Sequence, residues 1–137
     1  MKKDELKDIQ KSILKDFDND FTLCLTTEER AYCYLETRTI YINLNDFIFP
    51  TNRSIFDLLH EIGHIKTNTS KMRRFEEEYS ATKWAIVQAK KYNITLSLSD
   101  RKDFDDYILG LVDSCRKRNG KNIPDNSELL LDWQEVV

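Results

Sequence analysis

The chain has 137 residues, of which 40% are hydrophobic, 11% aromatic and 33% charged, and a formal net charge of −3. That length suits one domain with a real core, and the aromatic content is too high for a disordered chain. The mild acidity excludes a broad basic surface for nucleic acid, and no apolar run of about 18 residues offers a membrane span. The opening Met-Lys-Lys-Asp-Glu-Leu-Lys-Asp lacks the apolar stretch of a signal peptide, so a cytoplasmic protein is expected. Cys24, Cys33 and Cys115 show neither CxxC spacing nor an even count, and reduced thiols are expected.

In chain order, Leu6, Ile9, Ile13, Leu14 and Phe17 recur at helical spacing and predict a helix over 2–17. Three stretches rich in β-branched and aromatic residues follow, at 21–26, 31–36 and 39–43. Their close spacing predicts a small antiparallel meander of about three strands within 21–44. Pro50 and Asn52 break the chain, and a helix is predicted over 54–66 with Ser54 or Asn52 as its cap. A polar loop at 67–70 leads to a helix over 72–92. Another begins near Ser99 and places Phe104, Tyr107, Ile108, Leu111, Val112 and Cys115 on its buried face. A short terminal helix over 127–134 presents Leu129, Leu130 and Trp133. The expectation is a single α+β domain over 1–137, a small sheet packed on a mostly helical body, with metal-binding helices at 54–92 and a helical part at 99–136.

The chemistry lies in His60-Glu61-Ile62-Gly63-His64, an HExxH sequence. On a helix, positions i and i+4 sit one turn apart on one face, so two imidazoles can converge on one metal. Glu61 points about 100° further round and can act as a base without becoming a ligand. With two His and ten Glu in the chain, shuffling would reproduce the pattern about once in a thousand trials. Ile55, Leu58, Leu59, Ile62 and Ile65 give the motif's helix a buried side.

No other histidine exists, so a third zinc ligand must be Asp, Glu or Cys, and a three-histidine site is excluded. The nearest cluster is Glu76-Glu77-Glu78. At about 100° per residue, Ala81, Thr82, Ala85 and Ala89 all fall within about 60° of Glu78. Small residues around one carboxylate mark a face that another helix can approach closely, whereas Glu76 and Glu77 suit a solvated face. Gly63, which costs about 1 kcal/mol against alanine inside a helix, calls for the same close approach. The expected ligands are therefore His60, His64 and Glu78 around Zn2+, with Glu61 as catalytic base. Two neutral imidazoles and one carboxylate leave a net charge of about +1, which acidifies water held there. A second oxyanion donor is expected; Tyr32, Tyr34, Tyr41, Tyr79, Tyr92 and Tyr107 all qualify. Asp57, three residues before His60, either orients an imidazole or is a surface Asp near the helix N-terminus.

From Thr39 to Ala89 the sequence resembles the ImmA/IrrE family of small zinc metallopeptidases. Ile-Tyr-Ile-Asn-Leu-Asn and Arg-Ser-Ile-Phe-Asp-Leu-Leu before His-Glu-Ile-Gly-His resemble the family's strand and its lead into HExxH. Glu78-Tyr-Ser-Ala81-Thr82-Lys-Trp84-Ala85 is similar to the family's Glu-x-x-Ala-Asn-x-Phe-Ala helix, whose Glu is the third ligand. Thr82 stands where the family has Asn, and no Leu-Leu-Met-Pro run follows.

The resemblance implies a cytoplasmic zinc endopeptidase that cleaves helix-turn-helix repressors, as found in bacteria, phages and mobile genetic elements, where cleavage regulates transcription. No fused helix-turn-helix segment is visible, so the expected partner is a separately encoded repressor, with no direct nucleic-acid or membrane contact. The alternative is a regulatory protein on the same fold that docks a transcription factor without cutting it. Glu61 favours hydrolysis, because a purely structural site does not need it.

Overall fold

The chain buries its longest apolar face through a central helix, and the other elements take their places around it. The computed structural model describes residues 3–137. Helix α1 (Lys3–Asp16) is followed by strands β1 (Thr22–Thr26), β2 (Tyr32–Tyr34) and β3 (Thr39–Asn43). Then come the short α2 (Leu44–Ile48), α3 (Asn52–Thr67), α4 (Arg74–Lys91) and α5 (Leu98–Lys117). Two 3-10 turns, Asn126–Leu129 and Trp133–Val136, close the described chain. This is the α+β arrangement expected. Among the described residues no helix is long and apolar enough to cross a membrane.

The sheet departs from the expected antiparallel meander. Its order is β1-β3-β2, with β1 parallel and β2 antiparallel to β3. The reason is burial. Ile40 and Ile42 on β3 are almost fully enclosed, so β3 takes the centre, while β1 and the three-residue β2 stay at the edges. The segment between β1 and β3 thus contains β2 itself, and the turn before β3 places Arg38 at a φ of 51°. On the outer face Tyr32 lies opposite Tyr41 in register, and their rings stack at 4.7 Å. Cys33, one residue on, belongs to the inner face.

Asn43 ends β3 and caps α2, its Oδ1 accepting from the Asn45 and Asp46 amides. The N-cap of α3 is Thr51, not Ser54 or Asn52. The Thr51 hydroxyl accepts from the Ser54 amide at 3.0 Å, and the Ser54 hydroxyl accepts from the Thr51 amide at 2.8 Å. That reciprocal pair satisfies two otherwise orphaned donors. Asn52 instead accepts from the Thr95 amide and ties down the α4–α5 connection.

Helix α3 is enclosed on more than one side. Ile55, Phe56, Leu58, Leu59 and Ile62 are all buried. Phe56 contacts Phe104 at 5.0 Å and Trp133 at 5.9 Å between ring centroids. Full burial of one such ring contributes about 1.5–3 kcal/mol. Helix α4 returns along α3 after a turn over 68–73, and a second cluster of Phe75, Ile108, Val112, Cys115 and Leu129 joins α4 to α5.

Two residues expected in the core are not there: Tyr107 is 45% exposed and Leu130 is 71% exposed. The terminal segment is two 3-10 turns rather than one helix, so its facing changes between Leu129 and Leu130. All three cysteines are free, as expected.

Candidate metal centre

The loop between α3 and α4 lets the two helices lie side by side, and their small residues let them lie close. A Cβ built on Gly63 would stand 2.6 Å from the Ala81 carbonyl oxygen, a distance no side chain tolerates. Around this contact Ala81, Thr82, Ala85 and Ala89 are buried together with Glu78, the face expected from the sequence. Thr82 spends its hydroxyl within its own helix, donating to the Glu78 carbonyl at 2.7 Å.

The approach brings His60, His64 and Glu78 together. His60 Nε2 is 3.0 Å from Glu78 Oε2, and His64 Nε2 is 3.3 Å from Glu78 Oε1. The two imidazole rings stand 4.7 Å apart at 73°. Ligands about 2.0 Å from a tetrahedral ion are themselves roughly 3.3 Å apart, so the spacing suits one small cation. These three side chains offer ligand atoms within 4.8 Å of one another and can hold a metal ion.

The fit rests on hydrogen bonding as well as distance. Among the described residues the buried polar side chains are Gln10, His60, His64, Glu78 and Thr82. Gln10 donates to the Phe47 carbonyl, and Thr82 is satisfied as above. His60 Nε2 is left with no hydrogen-bond partner among the described residues, although Glu78 Oε2 is at bonding distance. The two atoms therefore face each other at close range without a hydrogen bond between them. A buried nitrogen without a partner is costly, and a cation held between them satisfies all three groups.

The electrostatics agree. Burial pushes the His60 imidazole down, but the Glu61 and Glu78 carboxylates outweigh it and raise its pKa to about 9. Burial also works to raise Glu78, yet the His60 and His64 imidazoles facing it hold its carboxyl well below the usual carboxylate range. The centre is thus built to keep a positive charge between its nitrogens and the carboxylate.

Glu61 is not one of the three converging groups. Its Oε1 is 3.6 Å from His60 Nδ1, and the side chain borders an open cleft of about 650 Å³. Asp57 borders the same cleft but makes no hydrogen bond to either histidine among the described residues. Its Oδ1 accepts from Arg53 Nε at 3.0 Å. Arg53 also reaches Asp100 at 2.9 Å and Asp103 at 3.3 Å, and its guanidinium lies 4.6 Å over the Phe104 ring. Phe104 in turn meets His60 edge-on. Arg53 is thus the residue that joins α3 to α5, and Asp57 holds Arg53 from within α3 instead of bonding an imidazole.

Among the cleft residues not anticipated are Arg53, Arg74 and Cys33. Arg53 was half visible, since Arg53 and Asp57 are spaced i, i+4, but its partners on α5 lie nearly fifty residues away. Arg74, whose Nη2 is 3.4 Å from Glu78 Oε1, had no signal beyond its own i, i+4 spacing. Cys33 reaches the cleft from β2, where burial first, and then the Glu61 and Glu78 carboxylates, push its thiol up to about 12. Of the candidate tyrosines, Tyr32 and Tyr107 border the cleft among the described residues.

None of the family models, curated proteins or solved structures compared with the chain matches it.

Proposed function

We propose that the protein is a zinc-dependent endopeptidase of the ImmA/IrrE kind, acting on a separately encoded helix-turn-helix repressor. The observation that carries this reading is the convergence of His60, His64 and Glu78 beside a second carboxylate, Glu61, in an open cleft. A structural metal site is normally closed by a fourth protein ligand; here the fourth side faces the cleft.

Zinc, when bound, supplies a Lewis acid for a carbonyl and acidifies water held beside it. The chain supplies the rest. His60 and His64 fix the position from one helix face, and Glu78 delivers the balancing charge from α4. Glu61 takes a proton from water and passes it to the leaving amine. The edge strand β2 contributes Tyr32 and Cys33 to the cleft wall, with Ala31 just before it, and among the described residues it pairs with β3 alone. Its free edge suits an extended peptide segment added as a further strand.

The test is incubation of the zinc-loaded protein with helix-turn-helix repressors from the same genome. The expected result is one specific cut, abolished in Glu61→Gln although the variant still carries metal. Stable association with no fragment, unchanged in Glu61→Gln, would replace hydrolysis with docking.

A further inference from the structure

We propose that Tyr107, held in place by Arg74, is the second oxyanion donor of the cleft: its phenolic hydroxyl binds the negative oxygen that forms when a carbonyl beside His60, His64 and Glu78 is attacked. The inference rests on the hydrolytic reading above and adds a residue to it.

The six tyrosines sort themselves by environment. Tyr92 donates its hydroxyl to Asp16. Tyr79 packs against the second apolar cluster and lies under the Lys83 ammonium. Tyr34 and Tyr41 pack with Tyr32 on the outer face of the sheet. Tyr32 borders the cleft, but its ring lies nearly parallel to Tyr41 at 11°, on the face opposite Cys33. Its ring is committed to that stack. Tyr107 is left.

Its position is specific. Arg74 Nη2 lies 3.2 Å from the Tyr107 hydroxyl and 3.4 Å from Glu78 Oε1. One guanidinium nitrogen therefore links the phenol to a ligand carboxylate. A guanidinium has no acceptor, so Tyr107 Oη must accept from Arg74, and its own proton is free for another oxygen. Donation from a cation also polarises the phenol and strengthens it as a donor. The inference accounts for an otherwise odd placement. Helical spacing puts Tyr107 beside the buried Phe104 and Ile108, yet it stands 45% exposed at the cleft. The attacked carbonyl's π electrons become the lone pair that Tyr107 then binds. No bond to the phenol forms, and its proton stays with it.

The test uses the protein loaded with Co2+, whose visible absorption reports its ligands, and inorganic phosphate as a tetrahedral oxyanion probe. Titrations are compared for the wild type, Tyr107→Phe and Tyr32→Phe, with the thermal midpoint of each as a fold check. Tyr107→Phe should bind Co2+ as the wild type does, with an unchanged unfolding midpoint, but hold phosphate about tenfold more weakly or worse, the loss expected for one hydrogen bond to a charged group. Tyr32→Phe should match the wild type. Equal phosphate affinity in Tyr107→Phe with Co2+ bound normally overturns the inference while leaving the hydrolytic reading intact. So does a wild-type cobalt spectrum that phosphate does not change, or a loss confined to Tyr32→Phe. Failure of the wild type to take up Co2+ overturns the metal reading itself and the inference with it.

Discussion

Replacing Gly63 with alanine sets helix propensity against helix packing, and the geometry decides the sign. In isolation the substitution favours the helix by about 1 kcal/mol. Here the new Cβ meets Ala81 O at 2.6 Å, Ala81 Cα at 3.1 Å and Ala81 C at 3.2 Å. All three are backbone atoms, so no rotamer change relieves the clash. Relaxing the carbon–oxygen contact to about 3.3 Å requires α3 and α4 to part by roughly 0.7 Å. Overpacking of this kind costs typically about 1–3 kcal/mol, which leaves a net loss of about 1 kcal/mol. The functional effect is larger. Metal–ligand distances tolerate only about 0.2 Å, and Glu78 lies within a turn of Ala81, so zinc affinity should fall at least about tenfold. Gly110→Ala is the control, because nothing lies within 4 Å of its added Cβ. It should stabilise the protein by up to about 1 kcal/mol and leave metal binding alone. Urea midpoints and zinc competition against a chelating dye measure both. A Gly63→Ala variant as stable as Gly110→Ala, with wild-type zinc affinity, would refute the packing argument.

Further outcomes follow from the charges. In metal-free protein the His60 pKa rises from 6.5 to about 9, so its contribution to stability is full below pH 6.5 and is lost as pH rises through about 9. The unfolding midpoint of chelated protein should fall across that window, and a flat profile in the wild type contradicts the pairing. Glu78 acts in the opposite direction: its carboxyl is lowered from 4.5, so its contribution is present above that pH and disappears on strong acidification. The Cys33 thiol, pushed from 9.0 to about 12 by burial and then by Glu61 and Glu78, should alkylate at pH 8 roughly a thousandfold more slowly in folded than in urea-unfolded protein; equal rates, followed by mass spectrometry, would count against its placement. Asp57→Asn should cost about 1 kcal/mol through Arg53 and change zinc affinity by less than about threefold, and a larger loss of affinity would return Asp57 to a place behind a ligand imidazole.

The helices and the site were legible in the sequence because both are written in short-range spacing. The i, i+4 pair of His60 and His64, the alanine face around Glu78 and the unfavourable Gly63 all speak of one close helix pair, and the structure builds it. The sheet was harder. Strand order depends on which strand can bury most, and that comparison spans the whole fold, so β3 displaced the expected meander. Helix α2 is too short for periodicity to reveal it, and its cap, Asn43, stands at the end of a predicted strand. The misplacement of Tyr107 has the same origin: helical spacing marked it as apolar, but Arg74 and the cleft, set by α4, decide where it faces.

The central claim is that His60, His64 and Glu78 together hold one metal ion. X-ray absorption at the zinc edge of protein loaded with one equivalent tests it most directly. The account predicts a first shell of nitrogen and oxygen at about 2.0 Å with the signature of two imidazoles, reduced to one in His64→Ala. A sulfur shell at about 2.3 Å, which would bring Cys33 into the site, or no zinc retained after dialysis, would contradict it.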